Sequence, residues 1–228
     1  MEQSMALRTI SKKMRFCLAR LRSNTSGVAL TEFAVVAPVF LTLGLAGFEL
    51  AQMASTKMKV SQLALSVADN ASRLGQTDNN AVSPTVNESD VAAVLFGAEE
   101  QGKSIGFKEN GRVILSSLER DPDSGRQFIH WQRCFGDKEA ESAYGNDTDK
   151  NGLDGDELTG MGREFEVTAP PGEAVMFVEV YYDYPAVFSQ AYLPEVKFRD
   201  EAAFIIRDDR DLNSPAVKGL SGALDNEC

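Results

Sequence analysis

Histidine occurs once and cysteine three times in 228 residues, too little material for a zinc site of the usual three or four ligands. Cationic side chains are also scarce: 23 Lys and Arg stand against 34 Asp and Glu, a net charge of -11. Such a chain repels phosphate, so nucleic acid is not an expected partner. The sequence has no serine nucleophile elbow, no glycine-rich phosphate loop and no paired-histidine motif, and nothing in it points to an enzyme. It has no internal repeat. What it does have is 43% apolar and 25% charged residues, which argues against disorder, over a length that fits one domain with an appendage. The charge is segregated. Residues 1–27 carry Arg8, Lys12, Lys13, Arg15, Arg20 and Arg22 against Glu2, a net of +5, which leaves -16 on residues 28–228.

An apolar stretch follows the basic head. Phe33 to Phe48 is sixteen residues without a charge, about 24 Å as a helix. Its apolar flanks extend it to about the thickness of a bilayer. The spacing predicts a membrane helix, with its basic flank held in the cytoplasm and the residues after about 52 sent outside. The rival is a cleaved secretory signal, but the run is long and no small-x-small site ends it. Within it lies Glu32, five residues after Gly27. A carboxylate in a membrane helix is costly. It is either an interfacial group reaching back to water or the partner of an amine. In the second case Gly27 is a cleavage point, Val28 the new N-terminus, and Glu32 pairs with the amino group of a neighbouring subunit. Pro38 removes one helical hydrogen bond, which membrane helices tolerate. Gly44 and Gly47 leave room for close helix contact, though not at GxxxG spacing.

The run G-V-A-L-T-E-F-A-V-V-A-P-V-F-L-T-L-G-L-A-G-F-E-L-A-Q resembles the TadE/TadF-like pseudopilins of the Tad (Flp) type IV pilus system. The matching positions are Gly27, Glu32, Phe33, Pro38 and Glu49, within residues 26–52. The resemblance implies a short leader (1–27) removed after Gly27 by a prepilin peptidase of the membrane aspartyl type. It implies packing with other pilin-type subunits through the N-terminal helix, where Pro38 and Glu49 lie, and contact with the inner-membrane pilus assembly machinery. The location it implies is the bacterial inner membrane with an extracytoplasmic head, with passage into a pilus after assembly. The size of that head suits a minor or tip subunit. The alternative is an uncleaved, signal-anchored calcium-dependent binding protein or adhesin; an anchored enzyme is a distant third.

Beyond the membrane the helical pattern continues. Met53, Val60, Ala64, Val67, Ala71 and Leu74 form one apolar stripe, and Gly75 is a stop, so one helix is expected over 28–74 within a 28–75 segment. Residues 76–88 read as a loop. A short helix follows, capped by Ser89 or Asp90, with Val91, Val94 and Leu95 on its apolar face. Strands are expected at 104–108 and 112–118 around an Asn110-Gly111 turn, at 127–135, at 174–184 and at 198–207. In the 174–184 strand Met176, Val178, Val180, Tyr182 and Tyr184 alternate against Glu179 and Asp183. The expected class is α+β: a long N-terminal transmembrane and amphipathic helix packed on an antiparallel sheet, with residues 76–228 as a pilin-like head.

The loop 146–158 places Asp147, Asp149 and Asn151 at positions 1, 3 and 5 of a calcium-loop pattern, with Gly152 at 6. Position 12 is Leu158 instead of Glu, so this is not a regular EF-hand. A different calcium loop using Asp147, Asp149, Asn151, Asp154 and Asp156 or Glu157 competes with a solvated acidic loop of Asx turns. No cofactor is required. Cys17 falls in the leader. Cys134 and Cys228 fall outside the membrane, where thiols oxidise, and pair with each other, stay free, or bridge subunits. His130 beside Trp131 and the Tyr181-Tyr182-Asp183-Tyr184 group read as packing residues.

Overall fold

The computed structural model describes residues 26–75, 85–188, 195–207, 210–213, 217–218 and 227–228. The basic leader, Cys17 and residues 76–84 of the expected loop lie outside the described residues. Contacts divide the chain after Leu50 into two units, the second running from Ala51 to Cys228.

Helix α1 spans Ser26–Ser72 and runs through Pro38 without interruption. The helix starts and stops within two residues of the expected 28–74. In the second unit it buries Val60, Leu63, Ala64, Val67, Ala68 and Ala71. Four of these belong to the expected stripe; its end members Met53 and Leu74 are half-buried. The helix ends where three carbonyls, those of Ala71, Ser72 and Leu74, accept hydrogen bonds from Arg210 Nη2 at 3.2, 3.4 and 2.7 Å. A cation there both satisfies orphan carbonyls and complements the negative end of the helix dipole.

A two-residue strand β1 (Val86–Asn87) leads into α2 (Glu88–Gly102). The helix opens two or three residues earlier than a cap at Ser89 or Asp90 would place it, with Asn87 as its cap. The Asp90 carboxylate accepts from the Asn87 backbone N–H at 3.3 Å and from its side-chain amide at 3.1 Å, so Asp90 serves the cap from the first turn instead of being it.

The expected strand at 104–108 does not form. Lys103–Ile105 is a 3₁₀ turn and Phe107–Asn110 a single helical turn, α3. Between them Gly106 takes φ +60, a left-handed conformation that closes the turn on the Lys103 carbonyl. Phe107 is fully buried, stacked 5.9 Å from the Tyr182 ring. It sits between two glycines. A Cβ on Gly102 or on Gly111 would lie 2.5 Å from a Phe107 carbon. Burying that one ring overrides the strand pattern, and β2 therefore begins at Gly111.

Four strands form an antiparallel sheet in the order β3-β2-β4-β5: β2 Gly111–Arg120, β3 Gln127–Phe135, β4 Ala174–Tyr184 and β5 Val196–Ile205. A bulge at Ser117/Leu118 shifts the β2–β3 register. A short sixth strand, β6 (Val217–Lys218), pairs in parallel with β1. One face of the sheet meets α1 and α2: Val113, Leu115, Trp131, Met176, Val178 and Tyr182 join one core with the buried residues of both helices. Lys57 and Ser61 of α1 reach Asp200 on β5 at 2.5 and 2.7 Å. The opposite face carries a second core of Leu118, Ile129, Val175 and Phe177, covered by Met161 and Ala169 from the segment between β3 and β4. Each large side chain fully buried in this way contributes roughly 1.5–3 kcal/mol. The fold is α+β, as the patterning indicates, but with both faces of its sheet covered.

Candidate functional site

The first unit presents its apolar side chains outward. Leu30, Phe33, Val35, Phe40, Leu41 and Leu43 are 66–72% exposed. Gly27–Ser72 is the one helix among the described residues that is long and apolar enough to cross a membrane. Left in water, a surface of this kind would be strongly unfavourable, so something apolar must cover it. The polar groups here are turned back on the helix. Thr31 Oγ1 donates to the Val28 carbonyl at 2.8 Å, and Thr42 Oγ1 to the Pro38 carbonyl at 2.7 Å. Hydroxyls bonded to their own helix do not need water. Glu32 is exposed one turn after Val28, and Glu49 is buried near the end of the apolar run.

Gly27 lies inside α1 with an ordinary helical φ, and a Cβ there would meet nothing within 4 Å. The same holds for Gly44 and Gly47. Glycine inside a helix costs about 1 kcal/mol relative to alanine. Within this chain neither packing nor backbone geometry requires glycine at these three positions.

The acidic loop has a clear structural role. Asp147 Oδ2 accepts from the Gln132 backbone N–H at 2.9 Å and lies 3.5 Å from Arg133 Nη1. Arg133 also makes a two-pronged ion pair with Glu88 at the start of α2, with Nη2 at 2.5 Å and Nε at 3.1 Å. The Asn151 carbonyl accepts from Ile129 N–H at 2.8 Å. Leu158 bridges to Gln127. The loop thus runs along the outer edge of β3 and occupies edge groups that would otherwise be open to pairing with another strand. Gly152 has φ +99, and a Cβ there would lie 2.6 Å from the Gln127 carbonyl oxygen, so the loop's approach to β3 needs glycine at that position.

Two of the residues singled out for calcium, Asn151 and Asp149, use side-chain oxygens within the loop. Asn151 Oδ1 accepts from the N–H groups of Leu153 and Asp154 at 2.9 and 2.8 Å. Asp149 Oδ1 accepts from the Asn146 amide at 2.8 Å, which holds the Asp149 carboxyl below its usual pKa. Asp154, Asp156 and Glu157 are exposed. Among the described residues no group of three or more His, Cys, Asp or Glu is placed to hold a metal ion.

Cys134 on β3 and Cys228 at the chain end form a disulfide across 94 residues of sequence. His130 Nδ1 lies 2.8 Å from Glu119 Oε2, and Ser117 Oγ donates to the other oxygen of that carboxylate.

One cluster had no sequence signal beyond alternation. Glu179, on the β4 face away from α1, is 1% exposed. Its Oε1 accepts from Ala143 N–H at 3.1 Å, Tyr181 OH at 2.8 Å and Arg199 Nη2 at 3.2 Å, and Ser142 donates to Oε2. Burial raises its pKa above the usual carboxylate value, although all four donors oppose that shift. Arg199 also pairs with Glu201 at 2.5 Å, and Tyr144 OH donates to the same oxygen at 2.9 Å. Burial and the Glu201 bond push the Tyr144 pKa up to about 12. The cluster stitches the 142–163 segment to the sheet. Every member has a structural partner, which favours a packing role for these groups.

Comparison with known proteins bears on the N-terminal segment alone. Residues 27–69 match the family model of TadE-like proteins, 43 of the 228 residues. The match begins at Gly27 and ends inside the part of α1 that packs on the sheet. No curated protein and no solved structure matches the chain.

Proposed function

We propose that this chain, TadE-like over residues 27–69, is a pilin-like structural subunit of a Tad-type pilus, cut after Gly27 by a prepilin peptidase. The observation that carries the reading is the apolar half of α1. It is exposed along its length, it starts at a glycine the fold does not require, and it bears a carboxylate one turn after Val28. In this reading the basic leader holds the N-terminus in the cytoplasm and fixes the direction of insertion. Cleavage removes it and exposes the Val28 amine. The bilayer covers the apolar helix first, and neighbouring pilin-type helices cover it on assembly. Glu32 then meets the amine of an adjacent subunit, so that two charges costly in an apolar medium cancel.

The 201 residues that follow Gly27 (228 less 27) would form a minor or tip subunit with an extracytoplasmic head. Its role is structural instead of catalytic, and its partners are the peptidase, other pilin-type subunits and the inner-membrane assembly machinery. Glu32→Ala separates processing from assembly. The expected result is a normally cleaved protein that no longer co-purifies with sheared fibres. Normal incorporation of the variant would remove the charge-pairing role.

A further inference from the structure

We infer that the outer edge of β5, from Glu201 to Ile205, is a docking edge, where an extended apolar segment of another protein adds to the sheet as a further strand. Register decides which groups are open. Ile206 N–H donates to the Ala174 carbonyl at 3.0 Å, so the even-numbered residues of β5 exchange ladder bonds with β4. The odd-numbered residues turn their main-chain N–H and C=O groups away from β4. On either side of the stretch these outward groups are used. The Arg199 carbonyl accepts from Lys57 Nζ at 3.3 Å, and Arg207 N–H donates to the Ser72 carbonyl at 3.2 Å. Between them, the outward main-chain groups of Glu201, Ala203 and Ile205 have no partner among the described residues. The opposite edge of the sheet, on β3, is covered by the acidic loop. The head thus protects one edge and leaves the other available for pairing.

The open stretch lies between two apolar walls, both within the second unit. On one side runs α1. Ser61 binds Asp200 at 2.7 Å and Asp69 binds Arg207; Leu65, one turn from each, is 51% exposed beside the edge. On the other side is a hairpin closed by the Met161–Val167 bridge. It is held to β5 by Arg163 N–H, which donates to Glu201 Oε2 at 2.8 Å. Its Phe165 is 81% exposed. Hairpin and strand enclose an open recess of about 310 Å³, lined by Phe165, Val167, Phe177 and Ala203 among others. A strand laid antiparallel along the edge sets the side chain opposite Ala203 into this recess and the next ones toward Leu65. Its central residues are therefore apolar on both faces.

The main chain selects the occupant. A row of donors and acceptors two residues apart is matched by another extended backbone. A lipid tail or a helix would leave those groups unpaired. Three open residues call for a segment of about five. A second copy of this chain does not meet the edge in the anchored protein. Two β5 edges would pair antiparallel about a two-fold axis, and α1, which follows β5 from Asp200 to Arg207, would reverse with it. Subunits that enter one membrane by the N-terminal end of α1 run the same way. That exclusion rests on the membrane-anchored reading above; the open edge does not.

The test uses the full chain in its native cells. p-Benzoylphenylalanine is placed at Ile205, at Phe165 and, as a control away from the edge, at Phe96, which is 58% exposed on α2. After irradiation, adducts are mapped by mass spectrometry of tryptic peptides. Positions 205 and 165 should join to one apolar stretch of one other protein, which position 96 does not reach. Ala203→Pro removes an outward N–H and no ladder bond to β4, so it should lower the adduct at 205 about tenfold. Phe165→Ser, outside the sheet, should lower it several-fold, and it decides the matter if Trp131 fluorescence shows the proline variant unfolded. Adducts to a second copy of this chain, adducts from 205 and 165 to unrelated segments, yields no higher than at 96, or a yield at 205 unchanged by the folded variants would each overturn the proposal. Recovery of the chain outside the membrane fraction would instead refute the anchored reading, and the adducts would still judge the edge.

Discussion

Replacing Cys134 and Cys228 by serine should cost more stability than any single substitution on the surface of the head. The bond closes a loop with a sequence separation of 94. In the chain-entropy model a loop of that length raises the free energy of the unfolded state by about 4–5 kcal/mol, an upper figure because the reduced chain keeps residual structure. The bond joins a buried position on β3 to the end of the chain, and Arg112 Nη2 donates to the Cys228 carbonyl at 3.4 Å. Replacing two sulfurs by oxygens removes the cross-link and little buried volume, so the effect should be mostly one of chain freedom. For a chain of this size 1 kcal/mol moves the midpoint by about 2–4 °C, so a fall of roughly 8–20 °C is expected. Trp131 is the sole tryptophan, 5% exposed and three residues from Cys134, so its fluorescence follows melting of the region concerned. Melts of the full chain in detergent are compared for wild type, wild type with reductant, and Cys134→Ser/Cys228→Ser. The last two should coincide, and reductant should not move the variant. A shift below about 2 °C would refute the loop-closure argument, because it corresponds to less than about 1 kcal/mol.

Two further outcomes concern the polar groups of the head. Glu179 has a raised folded pKa, so its contribution to stability is fully present below the ordinary carboxylate pKa and is lost as pH rises through the folded value. Glu179→Gln keeps an oxygen for the three donors at Oε1 and should flatten that part of the stability–pH curve, whereas Glu179→Leu removes the acceptor of Ser142, Ala143 N–H and Tyr181 while Arg199 keeps Glu201, and should cost about 1–3 kcal/mol for each buried donor left unpaired; an unchanged slope in the Gln variant would contradict the assignment. Calcium titrated to millimolar concentration into the full chain should give no saturable heat, because Asp147, Asp149 and Asn151 already serve N–H donors in the loop and on β3. A saturating isotherm abolished by Asp149→Asn would mean that the loop rearranges to gather those oxygens.

How much of this was readable from the residues depends on range. The apolar stripe of α1 and the alternation of β4 are periodic over many residues, and both elements lie where those periods place them. The match at residues 27–69 falls on the segment whose Gly27, Glu32, Phe33, Pro38 and Glu49 carried the resemblance. Signals of two or three residues were weaker. Asn110-Gly111 suggested a hairpin, but burial of Phe107 against Tyr182 and two glycines imposed a helical turn. The cap of α2 fell on Asn87 because Asp90 was needed one turn inside. Glu179 showed only which face it occupies. That the face is covered depends on the segment around Ser142 and Ala143, which has no periodicity of its own. The acidic loop displayed ligand-like spacing, but its Asp147 carboxylate accepts from the Gln132 N–H on a sheet edge some fifteen residues away in sequence, a relation that no local pattern encodes.

Whether α1 is a processed assembly helix is read from the N-terminal sequence and intact mass of the membrane-associated protein from cells that contain the peptidase. Processing after Gly27 gives a chain that begins at Val28 and is lighter by the 27 residues of the leader. A protein that retains Met1 and the basic leader would contradict it and leave an uncleaved, anchored binding protein in its place.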